Sequence, residues 1–144
     1  MTATEIMENL YLGDMKDARH FNGVIIFVGE GIPQNEPPHA IHIQIIPPGT
    51  IPRLSSEERL YKPRLNDDYP IKVNKSKVAQ AIYTIRYNLS KGRRVLVHFY
   101  VGAERSPIVV ACYLVEAGYA PDIYKAYDYI MKKRPIVIMH SDWL

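Results

Sequence analysis

The chain holds one cysteine, Cys112, among 144 residues. A single thiol excludes an intramolecular disulfide and points to an intracellular, cytoplasmic protein. No apolar run approaches about 18 residues, so no transmembrane helix is expected. The first residues, Met1-Thr2-Ala3-Thr4-Glu5, lack a basic stretch followed by an apolar one, so no secretory signal is read. Repeats and low-complexity segments are absent. Charge of one sign is weak: the net charge of +3 is compatible with an acidic or phosphorylated partner without requiring one. No concentrated basic patch with aromatic platforms is present, so nucleic acid is not expected as a partner. Nor is a metal or other cofactor. His39 and His42 fall on opposite faces of a strand, with no cysteine or acidic residue evident beside them, and His20 and His140 are isolated.

What is present is an ordinary globular composition, 47% apolar and 23% charged, in the length of one domain spanning 1–144. Frequent isoleucine, 11 tyrosines and little cysteine form a pattern seen in thermophile proteins. Leu10 to Gly13, Val24 to Val28, Ile41 to Ile45 and Val95 to Phe99 read as strands; three of them are short apolar or β-branched runs closed by turn residues. Asp14 to His20 reads as a short helix. Asn74 caps a longer one whose apolar face is Val78, Ala81, Ile82, Ile85 and Leu89, and Gly92 ends it. A third helix runs from near Arg105 to about Glu116. Pro121 opens a fourth with the face Ile123, Ala126, Tyr127, Ile130 and Met131, and Pro135 stops it. The tail is expected to dock through Ile136, Ile138 and Trp143. This order predicts an α/β fold, a small, mostly parallel sheet of four or five strands flanked by helices. Pro47 to Pro70, with five prolines and no clean period, is a long connection of the kind that usually carries function. Ser55 to Tyr61 has room for one or two helical turns.

The segment Val97-His98-Phe99-Tyr100-Val101-Gly102-Ala103-Glu104-Arg105-Ser106-Pro107 carries the chemistry. A buried strand enters a short loop, and a helix begins within a few residues. Inward backbone N–H groups and a helix N-terminus favour an anion, Gly102 permits the turn, and Arg105 offers a bidentate fork. The result is a phosphate-sized cradle made of Tyr100, Val101, Gly102, Ala103, Glu104 and Arg105.

In these residues the chain resembles the cysteine-dependent protein tyrosine phosphatases of the dual-specificity branch, which carry His-Cys-x5-Arg-Ser/Thr at a strand–loop–helix. His98, Arg105, Ser106 and Pro107 match that pattern, and Phe99 stands where the cysteine would be. Leu10-Tyr11-Leu12-Gly13 resembles the branch's N-terminal signature, and Ala117-Gly118-Tyr119 and Lys133-Arg134-Pro135 its C-terminal pattern. The resemblance leaves out an inserted loop at about 47–66. It implies a general acid at Asp68, 31 residues before position 99, with Asp67 adjacent. It also implies that Arg105 binds phosphate and that the Ser106 hydroxyl bonds the cysteine sulfur.

A phenyl ring has no lone pair to offer phosphorus, so Phe99 removes the family's nucleophile. Its bulk must fill the phosphate site or turn into the core beneath it, and Val101 and Ala103 are candidates for the repacking. Glu104 places a carboxylate where it would pair with Arg105 or repel a dianion. Cys112, in an apolar helix, reads as buried and inert. The basic clusters Arg53-Arg59-Lys62-Arg64, Lys72-Lys75-Lys77, Lys91-Arg93-Arg94 and Lys132-Lys133-Arg134 read mostly as solvated faces. The first is also a candidate partner-binding element. The expectation is a pseudophosphatase that binds a phosphorylated or acidic protein. The alternatives are an active phosphatase in which Phe99 has replaced the nucleophile, and a structural role with an empty cradle.

Overall fold

Four short parallel runs and one antiparallel edge build the sheet. The computed structural model describes residues 2–31, 33, 35–47, 72–99 and 105–144. The strands are β1 (Thr4–Met7), β2 (Leu10–Gly13), β3 (Val24–Phe27), β4 (Ile41–His42) and β5 (Val95–His98). Their order is β1-β2-β5-β3-β4, with β1 antiparallel to β2 and the other pairs parallel. The helices are α1 (Met15–His20), α2 (Lys75–Ser90), α3 (Arg105–Glu116) and α4 (Ile123–Lys133). A 3-10 turn, Ser141–Trp143, ends the chain. The expected α/β class and mostly parallel sheet are therefore observed. The expected insertion at 47–66 lies outside the described residues apart from Pro47. No helix among the described residues is long and apolar enough to cross a membrane.

β5 is the centre of the sheet and is buried at all four positions, as a strand covered on both faces must be. α3 packs beside it. Nine of its twelve residues are buried, which suits a helix that is apolar almost all round. α2 and α4 flank α3 and present one apolar face each: Val78, Ala81, Ile82 and Ile85 from α2, and Ala126, Tyr127 and Ile130 from α4. Both are capped by side chains. Asn74 accepts from the amides of Ser76 and Lys77, and Asp122 accepts from that of Lys125.

Several expectations need correction. β1 was not read from the sequence; its Ile6 alone is buried, too little apolar pattern to mark a strand. β4 spans Ile41–His42 rather than Ile41 to Ile45, because β3 ends at Phe27 and offers no longer ladder. Ile43 and Ile45 still donate their amides to Phe27 and Val28, and both side chains are buried. Met131 is exposed, so the buried face of α4 stops at Ile130. The tail docks through Val137, His140 and Trp143, while Ile136 and Ile138 face outward. His140 is not isolated: it stacks on Trp143 with ring centroids 3.9 Å apart.

Arg134 is the largest departure. It was read as part of a solvated basic face, yet it is 1% exposed. Its guanidinium donates to the Thr2 carbonyl at 3.1 Å, the Thr4 hydroxyl at 2.8 Å and the Leu12 carbonyl at 3.3 Å. It also lies 3.7 Å from the Asp17 carboxylate. Asp17 belongs to the capping box of α1, exchanging hydrogen bonds with Asp14. A Cβ on Gly13 would sit 2.7 Å from an Asp17 oxygen, so glycine is what lets this box close over β2. Burial pushes the Asp17 carboxyl up, and Arg134 acts in the opposite direction.

One arginine thus ties the end of α4 to β1, β2 and α1. Removing one partner of a buried pair leaves the other uncompensated. We expect Arg134→Met to lower the unfolding free energy in urea by about 3–5 kcal/mol. Lys132→Met and Lys133→Met, on the exposed side of the same helix end, should stay within about 0.5 kcal/mol of the parent. Equal effects at all three positions would refute the tie.

Candidate functional site

Parallel pairing brings three strand ends to one edge. Gly13 of β2 and Phe27 of β3 both lie in register with His98 of β5. The segments that follow, beginning at Asp14, Val28 and Phe99, therefore leave the sheet side by side. Clefts at the carboxyl ends of parallel strands are where open α/β sheets bind ligands. α3 begins at this edge with Arg105.

His98 is fully buried, and its ring lies 5.1 Å from that of Phe27. Burial lowers its pKa to about 4; the Phe99 backbone and the Asp14 carboxylate pull the other way, and His42 adds to the lowering. The Phe99 backbone approaches the imidazole without reaching good hydrogen-bond geometry. His98 is thus a neutral imidazole beneath the loop. Ser106 is also fully buried, and its hydroxyl meets no hydrogen-bond partner among the described residues. The resemblance assigned that hydroxyl to a cysteine sulfur, and a phenyl ring cannot accept its proton in that way.

Phe99 is half-buried at the edge of the core. Its ring lies nearly parallel to Phe27, with centroids 6.2 Å apart and 13° between planes. It also lies against Gly29, where any Cβ would run into the ring and come within 2.8 Å of Phe27. The space that an aryl group needs is therefore provided by Gly29, after β3. The expected participants, Val101 and Ala103, fall outside the described residues.

Arg105 closes the site. Its guanidinium carbon stands 4.4 Å from the Phe99 ring centroid, a cation–π contact worth about 0.5–2 kcal/mol. The same guanidinium donates to the carboxylate of Glu30. The Arg105 side chain is 7% exposed and that of Glu30 is 38% exposed. Sequence reading sought a carboxylate partner for Arg105 at Glu104, which is outside the described residues, and missed Glu30. A signal existed: Glu30 lies between two glycines after a strand that the fold sets beside β5.

The structure thus gathers His98, Phe99, Arg105 and Ser106, and adds Phe27, Gly29 and Glu30. Asp67, Asp68 and Tyr100 to Glu104 lie outside the described residues. Cys112 follows Arg105 by two turns, about 10 Å along the axis. Burial, with a smaller contribution from Glu116, pushes its thiol up to about 11, so it is inert at neutral pH. His42 does have an acidic neighbour, contrary to expectation: its Nε2 lies 2.6 Å from the Glu36 carboxylate. No group of three or more His, Cys, Asp or Glu among the described residues is placed to hold a metal.

No protein-family model matches the chain, and no curated protein sequence matches it. Solved structures do. The crystal structure of DUSP15 superposes with a TM-score of 0.69 at 21% identity, covering 99% of this chain and 82% of that one. Human DUSP28 gives 0.68 at 16% identity, covering 97% and 89%. The human tyrosine phosphatase-like serine/threonine/tyrosine-interacting protein gives 0.66 at 16% identity, covering 99% and 90%. The fold is that of the dual-specificity phosphatases.

Two outcomes follow from this packing. Gly29→Ala should cost about 1–3 kcal/mol, because the methyl group and the Phe99 ring compete for one space. In a Phe99→Ala background the same change should cost less in thermal or denaturant unfolding, with only the 2.8 Å approach to Phe27 left to relieve; an equal loss in both backgrounds would remove the steric account. The second outcome concerns pH. His98 protonates near pH 6.5 in the unfolded chain but only near 4 when folded. The unfolded state thus binds more protons between those values, so this contribution is complete above pH 6.5 and is lost as pH falls toward 4. It amounts to about 3 kcal/mol. Denaturant titrations across this window should show a shallower slope for His98→Gln than for the parent.

Proposed function

We propose that the chain is a non-catalytic member of the dual-specificity phosphatase family, a pseudophosphatase that binds a phosphorylated or acidic protein in the cytoplasm. The observation that carries this reading is the Phe99 ring, seated on Gly29 and Phe27 beside the Arg105 guanidinium. The nucleophile is gone, and the residue in its place is packed rather than merely tolerated. What remains suits binding. Arg105 is a fork-shaped donor at the first turn of α3, where the helix dipole also favours an anion.

The fold and the run His98-Phe99-x5-Arg105-Ser106-Pro107 support the family assignment together. One of the structures that resembles this chain bears the name of an interacting protein. The alternative, an active phosphatase with Phe99 in place of its cysteine, would use Arg105 for phosphate, Asp68 as general acid and Ser106 to release the phosphocysteine. The fit of the ring to Gly29 speaks against it, since a thiol needs no such space.

The unaltered chain should turn over p-nitrophenyl phosphate no faster than buffer does. Inorganic phosphate should raise its melting temperature, because a ligand of the native state stabilises that state. Arg105→Met should abolish the rise. Rapid metal-free hydrolysis that disappears in Arg105→Met would overturn the proposal. So would a melting temperature indifferent to phosphate.

A further inference from the structure

We infer that Glu30 is a built-in occupant of the anion site at Arg105, and that it makes this site select phosphate dianions over carboxylates. The inference rests on the binding role proposed above and specifies its ligand class. Its basis is the unequal burial of one ion pair. Arg105 is almost wholly buried, whereas Glu30 stands at the rim with more than a third of its side chain in water. A buried guanidinium must keep a counter-charge. A carboxylate at the rim regains much of its hydration when it swings out. Glycines flank it at 29 and 31, and Gly31 has a φ of 72°, so the turn is built from residues with backbone freedom. The pair can therefore open, but only toward an incoming anion.

The incoming group decides the outcome. A carboxylate from a partner would replace Glu30 with the same functional group and the same two acceptor oxygens. It would gain nothing in chemistry and would lose the freedom of a separate molecule. Glu30 is tethered, which gives it an effective concentration of about millimolar or more. A phosphate monoester brings close to two negative charges and three acceptor oxygens. Two can engage the Arg105 fork, and the third can face the N-terminal amides of α3. Exchange of Glu30 for phosphate is thus a change in kind, while exchange for another carboxylate is not. Phe99 supports this by giving the guanidinium an aromatic face to lie on while its counter-ion changes.

The test titrates the intact chain, Glu30→Gln and Glu30→Ala with inorganic phosphate and with acetate at matched ionic strength. Binding is followed by calorimetry, with circular dichroism confirming the fold of each variant. The parent should bind phosphate and not acetate. Both variants should bind phosphate at least tenfold more tightly, about 1.4 kcal/mol, and should acquire measurable acetate binding. Variants that bind phosphate only as tightly as the parent would overturn the role of Glu30 while leaving the phosphate site intact. Acetate bound by the parent as tightly as phosphate would overturn the selectivity. Phosphate bound by none of the three would remove the anion site itself, and this inference with it.

Discussion

A guanidinium removed from water must have a counter-charge, and the carboxyl edge of this sheet is organised around that requirement at Arg105. The helix that carries Arg105 begins at the edge of the sheet where β5 ends, and the side chain is buried there. Its charge is met by Glu30 from the neighbouring strand end, and its flat face is met by Phe99. Neither contact would exist without the register that sets Phe27 beside His98 and so brings the two outgoing segments together. In an enzyme of the resembling family a thiolate would share this site. Here the aryl ring at position 99 is neutral, and among the described residues the guanidinium is paired with the Glu30 carboxylate.

What could be read in advance divides by distance along the chain. The strand–loop–helix from Val95 to Glu116 was legible because its meaning is local: an apolar run, a glycine-bearing loop, a proline in the first helical turn. The cap at Asn74 was legible for the same reason, since a cap acts within three residues. The Glu30–Arg105 pair spans 75 residues, and Arg134 reaches back 130 residues to Thr4. No periodicity encodes such contacts. Arg134 was misread because a Lys-Lys-Arg run at a helix end has the composition of a solvated face, and only the tertiary fold distinguishes the third residue from the first two. Ile136 and Ile138 were misread for the opposite reason: Val137 between them is the residue that the turn after α4 aims inward.

The accommodation of Phe99 was anticipated in kind, though the residues expected to provide it, Val101 and Ala103, lie outside the described residues. Overpacking demands that something shrink, and the sequence offered small residues within the same loop. The structure shows space for the ring at Gly29, after β3, and adds Phe27 as a stacking partner. The hydroxyl of Ser106 shows the complementary effect. It keeps the position in which the resembling family would bond a sulfur, yet is buried without a partner among the described residues. Among the described residues the Phe99 ring is thus accommodated sterically, while the hydrogen bonding of Ser106 is not met.

The two buried arginines show what kind of site this is. Arg134 is held by the backbone carbonyls of Thr2 and Leu12, by the Thr4 hydroxyl and by a carboxylate that is itself buried. Thr4 and Leu12 belong to β1 and β2 and cannot leave without disturbing the sheet, so that arginine is structural. Arg105 is also buried, but the partner identified for its charge is one side chain at the rim, in a glycine-flanked turn. A fold that needed Arg105 only for stability had the means to fix it as it fixed Arg134. Holding a buried cation with a carboxylate at the rim is instead the arrangement that the proposed anion receptor would use, because the carboxylate keeps the guanidinium paired until a phosphate takes its place.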